Sequence, residues 1–263
     1  MVKLTFLPIG TSLLALATTL ATSTAAISIP SLQRPFFSSS PDHAILNTQA
    51  TPRRVEVTAG VMSRCPDAHY CEATLDRILD RVNSKVKLHL TYLGKPNSSA
   101  PFGGDCLHGD AECAGNIHQL CVQEALRPSR AGRDFDLSPS AAQLKWFDIV
   151  QCMNYGKNRI GDESLLQECL KTVKGGPSWD GAGGIAECVQ GKHGRKLLVD
   201  SFAESKNLDI VNSCTIIIEG GTQCVRDGGL WKRCTVPGGH DVGDFVAEIE
   251  HQWNRINDGD KSA

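Results

Sequence analysis

The sequence carries almost no surplus of charge. Its 27 Lys and Arg against 29 Asp and Glu leave a formal net charge of -2. Nothing draws such a chain broadly to phosphate backbones or anionic lipid, so nucleic acid and membrane surfaces are set aside as primary partners. It lacks a G-x-S-x-G elbow and a G-x-x-x-x-G-K-[ST] loop, which argues against an α/β-hydrolase and a P-loop enzyme. There is no internal repeat. The apolar stretch from Leu13 to Leu20 is diluted by Thr and Ser below the ~20 residues that a membrane span needs. No cysteine and histidine spacing matches a standard zinc module, and the sequence calls for no metal and no cofactor.

What the chain has is cysteine, eleven in 263 residues. The N-terminus reads as an export signal: Lys3 as the positive end, the short apolar stretch, then the small residues ATSTAA with cleavage after Ala25 or Ala26. An uncleaved anchor is the other reading of the same residues. Export to an oxidising compartment lets the cysteines persist as disulfides. Asn97-Ser98-Ser99 is the one plain glycosylation sequon, in a loop-like setting.

Residues 1–26 are thus expected to be a signal peptide and 27–53, rich in Ser, Pro and Thr, a flexible leader. The folded domain is expected over 54–257, followed by a disordered tail at 258–263. Val55 to Ala59 reads as a first strand ending at Gly60. Cys71, Leu75, Ile78, Leu79 and Val82 fall on one helical face, with Pro66 suited to the first turn of that helix. Val86 to Leu93 alternates as a second strand, completing β-α-β. Helix-compatible patterns follow at Glu112 to Leu126, Ser140 to Asn154, Glu163 to Val173 and Arg195 to Ser205. They form a helical insertion at about 103–205, with Ser138-Pro139 as a helix start. Thr215 to Glu219, Thr222 to Arg226 and Leu230 to Cys234 read as strands joined by Gly-rich turns. A last helix from Val242 to about Asn257, capped by Asp241, closes the chain.

The run from Cys106 to Cys121, CLHGDAECAGNIHQLC, is the densest in the sequence. By itself it fits a disulfide knot, a metal site or a binding loop. It closely resembles the signature C-Q-H-G-x-x-E-C-x-x-N-x-x-x-x-C of the gamma-interferon-inducible lysosomal thiol reductase family. Cys106, His108, Gly109, Glu112, Cys113, Asn116 and Cys121 match, and Leu107 stands where the family has Gln. The segment Glu187 to Leu198 looks like that family's later Cys-Gly-Gly segment. The resemblance implies an α/β, thioredoxin-like fold with a disulfide-rich helical insertion, in a protein that is secreted or lies in the lumen of a lysosome or vacuole.

In a thioredoxin-like fold the reactive cysteine sits where the first strand gives way to the first helix, here Cys65. Backbone N–H groups and the helix dipole favour a thiolate there. The family pattern is C-x-x-C, but this chain reads Cys65-Pro66-Asp67-Ala68, so the resolving position is alanine. Cys71 lies about 9 Å further along the helix axis, beyond the ~7 Å disulfide limit. It is either a buried structural cysteine or a resolving thiol reached by local unwinding. Cys214 stands where such folds carry a proline beside the reactive cysteine. It is expected either to pair with Cys65 and resolve its adducts, or to pair with another core cysteine such as Cys71. His69 could assist the thiolate or be merely exposed.

Six insertion cysteines, Cys106, Cys113, Cys121, Cys152, Cys169 and Cys188, allow fifteen pairings, and the sequence does not choose among them. Cys224 and Cys234 flank the Asp-Gly-Gly turn and are expected to staple it. His108 and Glu112 are expected either to fix their loop by hydrogen bonds or to shape a substrate surface. Zinc on Cys106, His108, Cys113, His118 and Cys121 is the alternative for that cluster. An odd cysteine count leaves at least one thiol over, and Cys65 is the first candidate. The leading expectation is thiol-disulfide exchange on protein disulfides through Cys65, with resolution by Cys214 or by a small thiol such as glutathione. The alternative is a disulfide-stapled fold that has lost catalysis and binds a partner.

Overall fold

The computed structural model describes residues 51–127, 137–181 and 184–258. The expected signal peptide, the expected leader up to residue 50 and the expected tail beyond residue 258 lie outside the described residues. Strand β1 (Val55–Val61) alternates buried and exposed side chains at first and buries its last three residues. A short loop leads from it to helix α1 (Pro66–Val82), with Cys65 at the N-cap and Pro66 in the first turn. Proline is favoured there because its missing N–H has no helical partner to lose. Cys71, Leu75, Ile78, Leu79 and Val82 are all buried, as their helical spacing requires. Strand β2 (Val86–Tyr92) runs parallel to β1, in register from Val55 opposite Val86 to Val61 opposite Tyr92.

The insertion opens with a small hairpin of β3 (Lys95–Pro96) and β4 (Gly104–Asp105). Helices α2 (Asp110–Ala125), α3 (Pro139–Tyr155), α4 (Glu163–Thr172), α5 (Ala186–Gln190) and α6 (Lys192–Asn207) follow. Ser138 caps α3, its Oγ accepting from the Ala141 N–H at 3.2 Å. The chain returns to the sheet as β5 (Thr215–Ile218), β6 (Thr222–Asp227) and β7 (Leu230–Lys232), then closes with α7 (Val242–Asp258). At the start of α7 the Asp244 carboxylate reaches back to the Asp241 N–H at 3.0 Å, half of a capping box.

The main sheet has the order β2-β1-β5-β6-β7, with β5 antiparallel to β1 from Val57 opposite Ile218 to Gly60 opposite Thr215. A parallel β-α-β unit flanked by an antiparallel hairpin and a final helix is the thioredoxin-like arrangement, here interrupted by the helical insertion. Gly60 does not end the first strand as its sequence suggests. It pairs with both neighbouring strands, and any Cβ there would strike the Ile210 side chain, so glycine serves a close approach. Order also begins before Arg54. The Arg53 N–H donates to Asn257 Oδ1 at 2.9 Å, and its guanidinium pairs with Glu219.

Ten of the eleven cysteines are paired. Cys121–Cys188 ties α2 to α5, and Cys152–Cys169 ties α3 to α4, with Cα separations of 5.9 and 5.7 Å. Cys106–Cys113 closes the loop before α2, and Cys224–Cys234 joins β6 to the segment just past β7. Cys71–Cys214 links α1 to the residue before β5 across 6.3 Å. The Cys65–Cys214 pair is therefore corrected. Cys71 sits on the buried face of α1, whereas Cys65 lies at the half-exposed helix mouth. Among the described residues no helix is long and apolar enough to cross a membrane.

Candidate active site

Cys65 is the free cysteine of the chain and is half-buried. Its backbone N–H donates to the Met62 carbonyl at 2.9 Å, and its own carbonyl accepts the first helical bond, from His69, at 3.1 Å. The thiol sulfur lies 3.6 Å from the Ser213 carbonyl oxygen. A helix N-terminus favours negative charge through its unpaired N–H groups and the helix dipole. One turn on, Ala68 is fully buried and offers a methyl group where the C-x-x-C pattern has its second thiol.

The Cys106–Cys121 signature packs against the loop that carries Cys65. The Glu112 carboxylate is fully buried. It accepts from the Arg64 N–H at 3.3 Å, the His108 N–H at 3.2 Å and His108 Nδ1 at 2.5 Å. Asn116 Oδ1 accepts from the Ser63 N–H at 3.0 Å, and Ser63 Oγ donates to the Glu112 carbonyl at 3.1 Å. Each of the loop's otherwise stranded N–H groups at Ser63 and Arg64 thus finds a side-chain acceptor on α2. A buried donor left unpaired costs about 1–3 kcal/mol, so these contacts hold the loop in one shape. Helix α2 approaches so closely that a Cβ at Gly115 would lie 2.6 Å from Ser63 Oγ and 2.5 Å from Ile160.

Glu112 therefore lines no substrate surface. It points inward and holds the loop, and His108, with its ring partly exposed, is held by it. Cys106, Cys113 and Cys121 are all in disulfides and unavailable as thiolate ligands, and among the described residues no cluster fit for a metal occurs. His69 is turned to the loop as well, its Nε2 donating to the Ser63 carbonyl at 2.6 Å. Asn97 sits in the β3–β4 turn with its amide nitrogen donating to the Asp105 carboxylate at 2.9 Å.

Sequence reasoning missed the other wall of the site. The Arg226 guanidinium carbon lies 3.6 Å from the Tyr70 ring centroid, and its Nε is 3.3 Å from Asp67 Oδ1. The same carboxylate oxygen accepts from the Gly229 N–H at 3.0 Å, so the β6–β7 hairpin is fastened to the first turn of α1. No local motif marks that contact. Asn116 could have been found, being a specified position of the signature.

Beneath the helix lies a buried polar chain. Asn154 Nδ2 donates to Glu72 Oε2 at 2.7 Å, Gln119 Nε2 to Asn154 Oδ1 at 3.2 Å, and Tyr92 Oη to Gln119 Oε1 at 2.8 Å. Burial pushes the Glu72 carboxyl up to about 8, against the Asn154 hydrogen bond, so the acid is neutral in the folded protein at pH 7. On α2, burial lowers His118 to about 4, offset in part by Asp162.

The profile of the gamma interferon inducible lysosomal thiol reductase (GILT) family matches residues 56–173. That match covers a little under half of the chain. The matched stretch runs from β1 to the end of α4, so it includes Cys65 and the whole signature, while α5 to α7 and β5 to β7 lie outside it. No curated protein matches the sequence. Among solved structures, a putative protein disulfide isomerase from Nitrosomonas europaea is similar with a TM-score of 0.47 and 7% identity, over 77% of this chain and 98% of that one. ScsC from Proteus mirabilis gives 0.46 and 13%, over 79% and 71%. The oxidoreductase DsbA from Xylella fastidiosa gives 0.41 and 14%, over 77% and 86%.

Proposed function

We propose that the protein is an exported thiol-disulfide oxidoreductase that acts on disulfides of other proteins, with Cys65 as its nucleophile. The observation that carries this reading is one unpaired, half-buried sulfur at the mouth of α1, on a loop that the GILT-type signature holds rigid. The Cys65 thiolate attacks a substrate disulfide, forms a mixed disulfide and releases one substrate thiol. A small thiol such as glutathione is one agent that frees the second. Five disulfides and a signal-like N-terminus support an oxidising compartment, either outside the cell or in the lumen of a lysosome or vacuole. Asn97 is the expected glycan site there.

The test is alkylation of the intact protein at pH 5 to 6, with Cys65→Ser as control. Labelling at Cys65, together with reduction of a disulfide substrate that Cys65→Ser abolishes, is the expected result. Ala68 supports a second reading, a stapled scaffold that binds a partner without turnover. That reading predicts no labelling and no reduction with any thiol donor.

A further inference from the structure

The register of the sheet brings three cysteines to one place. Gly60 opposite Thr215 is the end pair of the β1–β5 ladder. Beyond them one strand runs on to Cys65 and the other is preceded by Cys214. The Cys65 sulfur lies 3.6 Å from the Ser213 carbonyl, the peptide group joined to Cys214. Cys214 is bonded to Cys71, six residues along the helix that Cys65 opens. Both members of that disulfide are fully buried, and Cys65 is not. Between Cys65 and Cys71 the buried position of the first turn is taken by Ala68, which carries no thiol.

We propose that Cys71 and Cys214 are a buried electron store served by Cys65, and that they take the part of the thiol missing at Ala68. This rests on Cys65 being a nucleophile. With the pair reduced, the Cys65 thiolate attacks a substrate disulfide, and the first substrate sulfur leaves and takes a proton. Cys214 attacks the Cys65 sulfur; a Cys65–Cys214 bond forms, and the second substrate sulfur leaves and takes the proton that Cys214 gives up. Cys71 attacks Cys214 and closes Cys71–Cys214, its proton passing to the departing Cys65 sulfur, which releases it at the half-exposed helix mouth and returns as a thiolate. One substrate disulfide is reduced and one protein dithiol is oxidised, a transfer of two electrons and two protons.

Recharging runs through the same gate. Cys65 attacks Cys214 and frees Cys71. A low-molecular-weight thiol attacks the Cys65 sulfur and frees Cys214, and a second molecule removes the first as a small disulfide.

Two measurements on the full chain test this. In Cys71→Ala, purified without reductant and mapped by mass spectrometry, Cys214 is expected to be bonded to Cys65; both thiols free, or Cys214 bonded elsewhere, overturns the relay. In the second, wild type and Cys65→Ser are treated with reduced glutathione, alkylated and mapped. The Cys71–Cys214 bond is expected to open at least tenfold more slowly in Cys65→Ser, and equal rates overturn the relay. Oxidised glutathione added to wild type separates the two claims. An adduct on Cys65 together with equal opening rates leaves the nucleophile standing and removes the store, whereas no adduct and no opening removes both.

Discussion

Replacing Glu72 by Gln should change how stability depends on pH more than it changes stability at any one acid pH. Glu72 is fully buried on α1 beside Cys71, with Oε2 accepting from Asn154 and Oε1 without a partner. Its carboxyl ordinarily titrates near 4.5 and is raised to about 8 in the fold. Between those values the folded protein holds a proton that the unfolded chain releases, so unfolding becomes easier as pH rises, and the slope vanishes below 4.5 and above 8. At about 1.4 kcal/mol per pH unit, most of the interval between pH 5 and pH 8 contributes, and wild type should lose roughly 3–4 kcal/mol across it on this account. Gln keeps an acceptor for Asn154 and cannot ionise, so Glu72→Gln should not show that loss. Urea unfolding of both proteins at pH 5, 6.5 and 8, disulfides intact, reads the difference directly. Other titrating groups are common to both proteins and cancel in the comparison. Parallel curves of stability against pH would refute a neutral buried acid at this position.

His118 should act in the opposite direction: lowered to about 4 from 6.5, it lets stability fall as pH drops through that range, and His118→Leu should spare roughly 2 kcal/mol of the loss between pH 7 and pH 4.5, read by the same titration. Glu112→Ala strands the Arg64 and His108 N–H groups, so it should destabilise the protein by about 3 kcal/mol in urea unfolding and speed alkylation of Cys65 as the loop loosens. Ala68→Cys restores C-x-x-C with the two sulfurs one helical turn apart. The oxidised variant should resist labelling at Cys65 until reduced, and free labelling would mean that the first turn of α1 cannot bring the two together.

The helices and strands were largely legible because burial leaves a period. The spacing of Cys71, Leu75, Ile78, Leu79 and Val82 marks a helix face, and the alternation from Val86 marks a strand, before any contact is known. The signature was legible as a pattern, but its work was not. Whether Glu112 faces solvent or the Cys65 loop depends on where α2 docks, and that docking is set by residues fifty positions away. Even so, the missing second thiol at Ala68, the place of Cys65 just before Pro66 and the odd cysteine count are all properties of the linear chain.

Apart from Cys224–Cys234, which the turn between them brings together as expected, the cysteine partners were a different matter. A disulfide needs two α-carbons within about 7 Å, a condition on distance in space to which sequence separation is blind. Cys71 and Cys214 are 143 residues apart and meet because β5 pairs with β1 in one register, while the helical period turns Cys71 inward and leaves Cys65 at the rim. Residue order decided which sulfur opens the helix; only the docking of strand on strand and helix on sheet decided which sulfurs are joined behind it.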